Sequence, residues 1–309
     1  MTDWQIQDIH SQHGKRVVIT GATGGLGYET ALVLAGKGAE VILTGRNAGK
    51  GQAALDAIRA VYPNAQIRYD HLDLSSLDSI RDFTTRFAQA HDSLDILINN
   101  AGVMTPPTRQ TTVDGFELQM GTNYLSHFSL TAQLLPLLRK VIAPRVVNLS
   151  SNAHKLMANI HFDDLQWQQR YKPWPAYAQS KLAMLMFALE LQRRSDAGGW
   201  RLMSNAAHPG YARTNLIANG PGTDNLTTKL GLLLQPIMSH SAADGALPTL
   251  YAATAPDAQN AAYYGPKDCF ELKGPVAAAA ISRRAQNTAI AARLWQVSEA
   301  LTGAVWPNV

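Results

Sequence analysis

The sequence has a single cysteine, Cys269, in 309 residues, which excludes a disulfide framework and any zinc site built on cysteines. A free cysteine commonly behaves as a small buried hydrophobe, so Cys269 is expected to be a packing residue. Charge is also scarce. Only 16% of residues are charged against 46% hydrophobic, where ~25% charged is usual for a globular chain, and this excludes a disordered or charged-tail protein. The 27 basic residues exceed the 23 acidic ones by four, and no Lys/Arg run is long enough for a nucleic-acid footprint. A weakly basic balance instead suits an anionic small molecule. Long apolar runs are missing: 182–189 and 230–234 fall far short of the ~18 residues a membrane span needs. The opening segment MTDWQIQDIHSQHGKR has no apolar signal-peptide core, so a cytoplasmic chain is expected. His154 and His161 have no metal-ligand spacing with any carboxylate and read as loop or surface residues; no metal is expected.

What the chain does have is rhythm. Residues 16–20 form a β-branched run, 26–37 a helix, 41–44 a strand and 53–61 a helix. The alternation continues with strand 66–70, helix 77–90, strand 95–99, helix 115–139, strand 145–150, helix 177–194 and strand 202–207. The strands are continuous apolar runs, as when helices cover both faces of a sheet. Repeated βα units imply a doubly wound α/β fold with a parallel, Rossmann-type sheet and right-handed crossovers. No repeat or low-complexity linker interrupts it, so 1–309 is expected to form one domain after an N-terminal arm, 1–14. Two segments break the rhythm, 152–176 and the Gly/Asn/Pro-rich stretch 218–225, and long irregular insertions of this kind are often functional loops.

Between the first strand and helix lies Thr20-Gly21-Ala22-Thr23-Gly24-Gly25-Leu26-Gly27. Glycines admit a pyrophosphate close to backbone N–H groups, and the helix N-terminus adds partial positive charge. No Gly-Lys-Ser/Thr follows, so this is not a P-loop.

With these residues in place, the chain resembles the short-chain dehydrogenase/reductase family over most of its length. The T-G-x-x-x-G-x-G turn is one motif. Asp73-Leu74 stands where the family contacts adenine, and Asn99-Asn100-Ala101-Gly102 matches its N-N-A-G motif after the fourth strand. Asn123, Ser151, Tyr177 and Lys181 fall on the catalytic tetrad, and Pro209-Gly210 with Thr214 on the loop that closes over the nicotinamide. SSNAHK, AYAQSKLA, AAHPGYARTNL and RLWQVSEALTG resemble the retinol-dehydrogenase-like and protochlorophyllide-reductase-like branch.

The resemblance implies reduction of an aldehyde or ketone, reversible as alcohol oxidation, with Tyr177 donating the proton and Lys181 holding the ribose. Tyr177 and Lys181 are four apart and share a helix face. An ammonium beside a phenol favours the phenolate, so Tyr177 is expected below its usual ~10; reaching ~8 takes ~2.7 kcal/mol. Ser151 would hold the substrate oxygen, with Ser150 its rival. For Asn123 the family role is to hold a water beside Lys181, against a plain solvent-facing residue. Met184 and Met186 read as core. An NAD-specific fold places Asp or Glu ~20 residues after the glycine turn, but no acid lies between Val41 and Leu55. Arg46, with Lys50 nearby, stands there instead and suits a 2′-phosphate, which makes NADP(H) the expected cofactor.

Residues 152–176 exceed the usual family spacing, and the retinol-dehydrogenase-like branch shares such an insertion. Its Trp167, Tyr171, Pro173, Trp174 and Pro175 either line a substrate mouth or pack the insertion down. The segment 215–240, with Leu230–Met238, reads as an apolar substrate lid or a packed helix, and an apolar carbonyl or alcohol is the expected substrate. Many relatives form tetramers through the helices bearing Asn123 and Tyr177; the insertion would obstruct that contact, so a monomer or homodimer is expected. Alternatives are a retinal- or steroid-type alcohol dehydrogenase working oxidatively, a silent dinucleotide sensor, which typically loses Tyr or Lys, and a nucleotide-sugar epimerase, whose glycine spacing differs. A light-driven protochlorophyllide reductase lacks support because its extra cysteines are absent.

Overall fold

The computed structural model describes residues 4–212 and 240–308. Its scaffold is an eight-stranded sheet in the order β3-β2-β1-β4-β5-β6-β7-β8. The strands are β1 (Arg16–Ile19), β2 (Glu40–Gly45), β3 (Ile67–His71), β4 (Ile96–Asn99), β5 (Arg145–Leu149), β6 (Met203–Ala207), β7 (Tyr263–Asp268) and β8 (Lys273–Ala278). The first seven run parallel and β8 returns antiparallel to β7. This is the doubly wound α/β arrangement that the apolar runs predict.

Alternate residues of β1, β2, β4 and β5 feed two cores, which is why these central strands are largely apolar. Val18, Ile42, Leu97 and Val146 face helices α3 (Leu77–Ala90), α5 (Ser126–Leu138) and α6 (Pro173–Ala197). Val17, Ile19, Val41, Leu43, Ile96 and Ile98 face α1 (Gly25–Gly36), α2 (Ala48–Val61) and α7 (Ala242–Thr254). The predicted helix 115–139 is composite. A short α4 (Leu118–Met120) runs into a π-turn at Gly121–Leu125 and then α5; π-turns inside helices commonly mark functional sites. Helix α6 starts four residues before Tyr177, at Pro173, whose fixed φ suits the first helical position. Met184 and Met186 are buried core residues, as expected.

The alternation read from the sequence ends at 207, so α7, β7, β8 and the last helix, α8 (Thr288–Thr302), were not foreseen as elements. Helix α8 lies over α6 and α5 and buries Leu294 and Trp295 there. Trp295 packs within 4.9 Å of Phe128, 5.8 Å of Phe187 and 4.5 Å of Trp306. The outer faces of α5 and α6 are therefore covered by the chain's own C-terminal segment.

Two expectations are corrected. His154 is buried: its Nδ1–H donates to Ser151 O at 2.7 Å, and its ring packs edge-on to Tyr263. Cys269 is exposed in the β7–β8 turn, where Cys269, Phe270 and Glu271 adopt φ of 51°, 59° and 64°. Left-handed backbone costs a residue with a Cβ ~1–2 kcal/mol, so this turn must be held by side-chain contacts.

Candidate active site

The strand order reverses between β1 and β4, and in open α/β sheets ligands bind at the carboxyl ends of strands at such a point. There the Thr20 hydroxyl accepts the N–H groups of Asn100 and Ala101, each at 2.9 Å, and Asn100 Nδ2 donates to Thr20 O at 2.7 Å. This clip sets the glycine turn against the Asn100–Gly102 segment. Gly21 takes φ +64°, and a Cβ there would meet the Ala101 Cβ at 2.9 Å. On Gly27 a Cβ would meet Asn100 Nδ2 at 2.6 Å, so the first turn of α1 packs flat on the loop. Gly24, by contrast, is exposed with nothing within 4 Å of a Cβ, and α1 has no side-chain cap. Thr23, Gly25 and Leu26 flank that opening on the same turn. Open backbone donors on a helix N-terminus fit the pyrophosphate of a dinucleotide.

The end of β2 lies beside this turn, because a Cβ on Gly45 would be 3.0 Å from Thr23 Cγ2. Arg46 follows, exposed, with Lys50 one helical turn on. Asp73 and Leu74 follow β3. Asp73 Oδ1 accepts the Ser75 N–H and hydroxyl at 2.9 and 2.8 Å, and Leu74 is buried with its carbonyl taking the Ser126 hydroxyl.

Asn123 is 1% exposed, which excludes a solvent-facing role. Its Oδ1 accepts from Val103 N at 2.7 Å, while Nδ2 donates to Val103 O at 3.0 Å and to Ser180 Oγ at 2.9 Å. The π-turn thus sets the Asn123 amide between the N-N-A-G segment and α6. A Cβ on Gly102 would sit 3.1 Å from Asn123 Oδ1 and 3.5 Å from Lys181 Nζ, so a side chain here would press on the Asn123 amide while only touching the ammonium.

Lys181 Nζ donates to Leu149 O at 3.0 Å and lies 5.8 Å from the Tyr177 ring centre. Burial brings its ammonium down to about 8. Burial also pushes the Tyr177 phenol up to about 12, with the adjacent Ser151 hydroxyl working the other way. The expected lowering of Tyr177 is therefore reversed. The cation is spent on a carbonyl, and an enclosed phenol loses more from dehydration of its charged form than it gains. The two serines divide. Ser150 Oγ donates to Lys181 O at 2.8 Å, inside the fold, whereas Ser151 opens a 3-10 turn and faces Tyr177.

The aromatics of 152–176 divide as well. Trp167 is buried against His161, and the Tyr171 hydroxyl donates to Pro106 O at 3.0 Å, so both pack the insertion down. Trp174 is 54% exposed and stands edge-on to Tyr177 with ring centres 6.1 Å apart. After β6, Gly210 takes φ +66°, and a Cβ there would run into Leu272 O of the β7–β8 turn; Pro209 O meets His240 Nε2 at 2.5 Å. Thr214 and 215–239 of the expected lid lie outside the described residues.

Sequence reasoning missed His127, which joins Thr20 to Asn123. Its Nδ1–H donates to Asn123 O at 3.0 Å, leaving Nε2 to accept the Thr20 hydroxyl at 2.9 Å. Burial keeps this ring neutral, at about 4, with the Asn123 carbonyl opposing and Lys181 assisting. A histidine one turn after Asn123 on an apolar helix was the available signal.

A family model described as short chain dehydrogenase matches residues 15–223. Human retinol dehydrogenase 13 is 41% identical over 301 residues, covering 96% of this chain and 87% of the relative. Mouse retinol dehydrogenase 12 is 43% identical, covering 95% and 88%, and mouse polyprenol dehydrogenase is 38% identical, covering 98% and 88%. An uncharacterized protein from Mycobacterium paratuberculosis superposes with a TM-score of 0.81 at 42% identity, over 99% of this chain and all of its own. A short-chain dehydrogenase from Shigella flexneri in complex with NADP superposes at 0.64 with 26% identity, over 82% of this chain and 96% of its own. The fold, the order of the motifs and these likenesses agree: the chain is an oxidoreductase of the short-chain dehydrogenase/reductase family, in its retinol-dehydrogenase-like branch.

Proposed function

We propose that this enzyme reduces an apolar aldehyde or ketone with NADPH, reversibly, using Tyr177 as the proton donor. The observation that carries the reading is the group of buried Tyr177, Lys181 and Asn123 with half-buried Ser151 beside the Tyr177 hydroxyl, at the carboxyl ends of the strands and next to an open glycine turn. When bound, the nicotinamide supplies hydride to the carbonyl carbon. Ser151 orients the carbonyl oxygen, and the Tyr177 hydroxyl delivers its proton to the developing alkoxide. Lys181 would hold the ribose through its ammonium, and Asn123 ties the backbone that follows Asn100–Gly102, at Val103, beside it. Thr23, Gly24, Gly25, Leu26 and Gly27 would cradle the pyrophosphate, Asp73 and Leu74 the adenine, and Pro209, Gly210 and Thr214 the nicotinamide.

A phenol raised to about 12 is fully protonated at neutral pH, which favours reduction there. The names of the similar retinol and polyprenol dehydrogenases favour the opposite direction on long apolar alcohols. Both directions share one site, and both suit the exposed Trp174 as an apolar wall beside Tyr177. The reading places one domain over 1–309 in the cytoplasm; among the described residues no helix is long and apolar enough to cross a membrane.

Tyr177→Phe keeps the packing but has no proton to give, so kcat should fall by ~100-fold or more while the NADPH Kd, measured by fluorescence, stays within about twofold. Retention of a tenth of the activity would remove Tyr177 from the role. Because the Lys181 ammonium titrates at about 8, its charge is present below that pH and lost above it. The reductive kcat/KM should therefore decline as pH rises through about 8; a flat profile from 7 to 10 would contradict this. Arg46 makes no contact among the described residues and is free to meet a 2′-phosphate. A charge-assisted contact of ~1.5–3 kcal/mol gives roughly 10- to 150-fold preference for NADPH over NADH, which Arg46→Asp should abolish or reverse. Equal kcat/KM for both cofactors in the unaltered enzyme would refute it. Finally, with α8 covering α5 and α6, light scattering at low micromolar concentration should return a monomer or homodimer, and a stable tetramer would overturn that expectation.

A further inference from the structure

Behind the Ser151 turn lies a charged cluster that the proposed chemistry does not use. Its centre is the Glu271 carboxylate, at the end of three successive left-handed residues in the β7–β8 turn. Lys155 Nζ donates to Glu271 Oε2 at 2.6 Å, from the 3-10 turn that Ser151 opens. His208 Nε2 stands 3.2 Å from the same oxygen, a charge contact out of line for a hydrogen bond, and has no hydrogen-bond partner among the described residues. Its Nδ1 accepts the Gly210 N–H at 3.2 Å, so the ring carries its proton on Nε2, facing Glu271. Oε1 accepts the Ala280 N–H at 3.0 Å.

The backbone of the same turn repeats these connections. Asn152 Nδ2 donates to Glu271 O at 3.1 Å, and Tyr211 N donates to Leu272 O at 2.8 Å. One strained turn is thus tied by its carboxylate and its carbonyls to two segments. The first carries Ser151; the second is Pro209-Gly210-Tyr211. Burial works against the Glu271 charge, but the contacts from His208, Lys155 and the Ala280 amide outweigh it and hold the carboxyl at about 2, so the clamp is ionised at neutral pH.

We propose that Glu271 is a positioning residue: through Lys155 and His208 it fixes the Ser151 turn and the Pro209–Gly210 segment at one separation across the cleft. This rests on the reading that Ser151 holds the substrate oxygen and that Pro209-Gly210 borders the nicotinamide. The side chain touches neither substrate nor cofactor, and its effect passes through the two segments it ties together. A reacting geometry loosened on the scale of an ångström loses rate rather than affinity.

The test pairs hydrogen exchange with kinetics on the full chain. Glu271→Gln keeps the size and removes the charge; Lys155→Met removes the partner, and Lys155→Arg restores a cation. In Glu271→Gln and Lys155→Met, amides of both 151–156 and 208–212 should exchange faster than in the unaltered protein, while those of β1 and β2 do not change. At 25 °C, kcat should fall about 10- to 100-fold with the NADPH Kd within about twofold, and Lys155→Arg should recover most of it. Unchanged exchange in either segment, or loosened segments with undiminished kcat, would overturn the inference. So would a general rise in exchange across the sheet, which marks plain destabilisation. If Glu271→Gln does not fold, Lys155→Met carries the same test. If the unaltered protein reduces no carbonyl with NADPH, the proposed function fails, and the exchange pattern alone still decides whether the clamp exists.

Discussion

At the switch point two neighbouring strands must send their chains in opposite directions, and the backbone groups released there have no sheet partner. The Thr20 hydroxyl answers this constraint. It accepts the amides of Asn100 and Ala101 and donates to His127, with no exposure to water. A buried N–H left unsatisfied costs ~1–3 kcal/mol; the Asn100 amide also reaches Ile98 O at 3.0 Å, so it is the Ala101 amide that relies on the Thr20 hydroxyl. The same oxygen fixes the height of the glycine turn against Asn100–Gly102. Through the neutral His127 ring it also fixes the carbonyl of Asn123 and hence the π-turn. The phosphate end and the catalytic end of the cleft are therefore parts of one hydrogen-bonded unit.

Around that unit the cleft opposes charge. Burial raises Tyr177 and lowers Lys181, so each is driven towards its neutral form, and among the described residues no carboxylate pairs with Lys181. Glu271 shows the opposite outcome in a comparable setting, because two cationic or polar side chains and an amide compensate its burial. Its depressed carboxyl contributes stability that is complete above the unfolded value near 4.5 and lost as pH falls towards about 2. One region near the chemistry is poor in fixed charge and the region behind it is held by charge.

The architecture was legible because its signals are local. Short runs gave β1 to β6, and the helix over 77–90 coincides with α3 at both ends, whereas β7 and β8 stand in no run read from the sequence. The sites that depend on a motif at a strand end, such as the glycine turn and Asn100–Gly102, were legible for the same reason. What escaped depends on contacts distant in sequence. His154 looked like a loop residue because its partners, Tyr263 and Ser282, lie more than a hundred positions on. Cys269 was assigned to packing on residue type alone, whereas a tight left-handed turn turns it outward. The direction of the Tyr177 shift required knowing that Lys181 is engaged by Leu149 O and that the phenol is enclosed. The insertion was expected to cover α6, and its turn at Asn152–Lys155 does pack there, but α8 packs on α5 and α6 as well. That helix had no place in a pattern read as alternating βα units.

The same helix has a consequence for synthesis. Phe128 and Phe187 belong to a core that Trp295 and Trp306 complete. A nascent chain that has already formed β1 to β6 must therefore present an open aromatic surface until the final tenth of the polypeptide has left the ribosome. Exposed apolar faces of this kind are where folding intermediates associate. Until the last two tryptophans arrive, Phe128 and Phe187 lack the cover those rings give, and in that interval association between chains competes with folding.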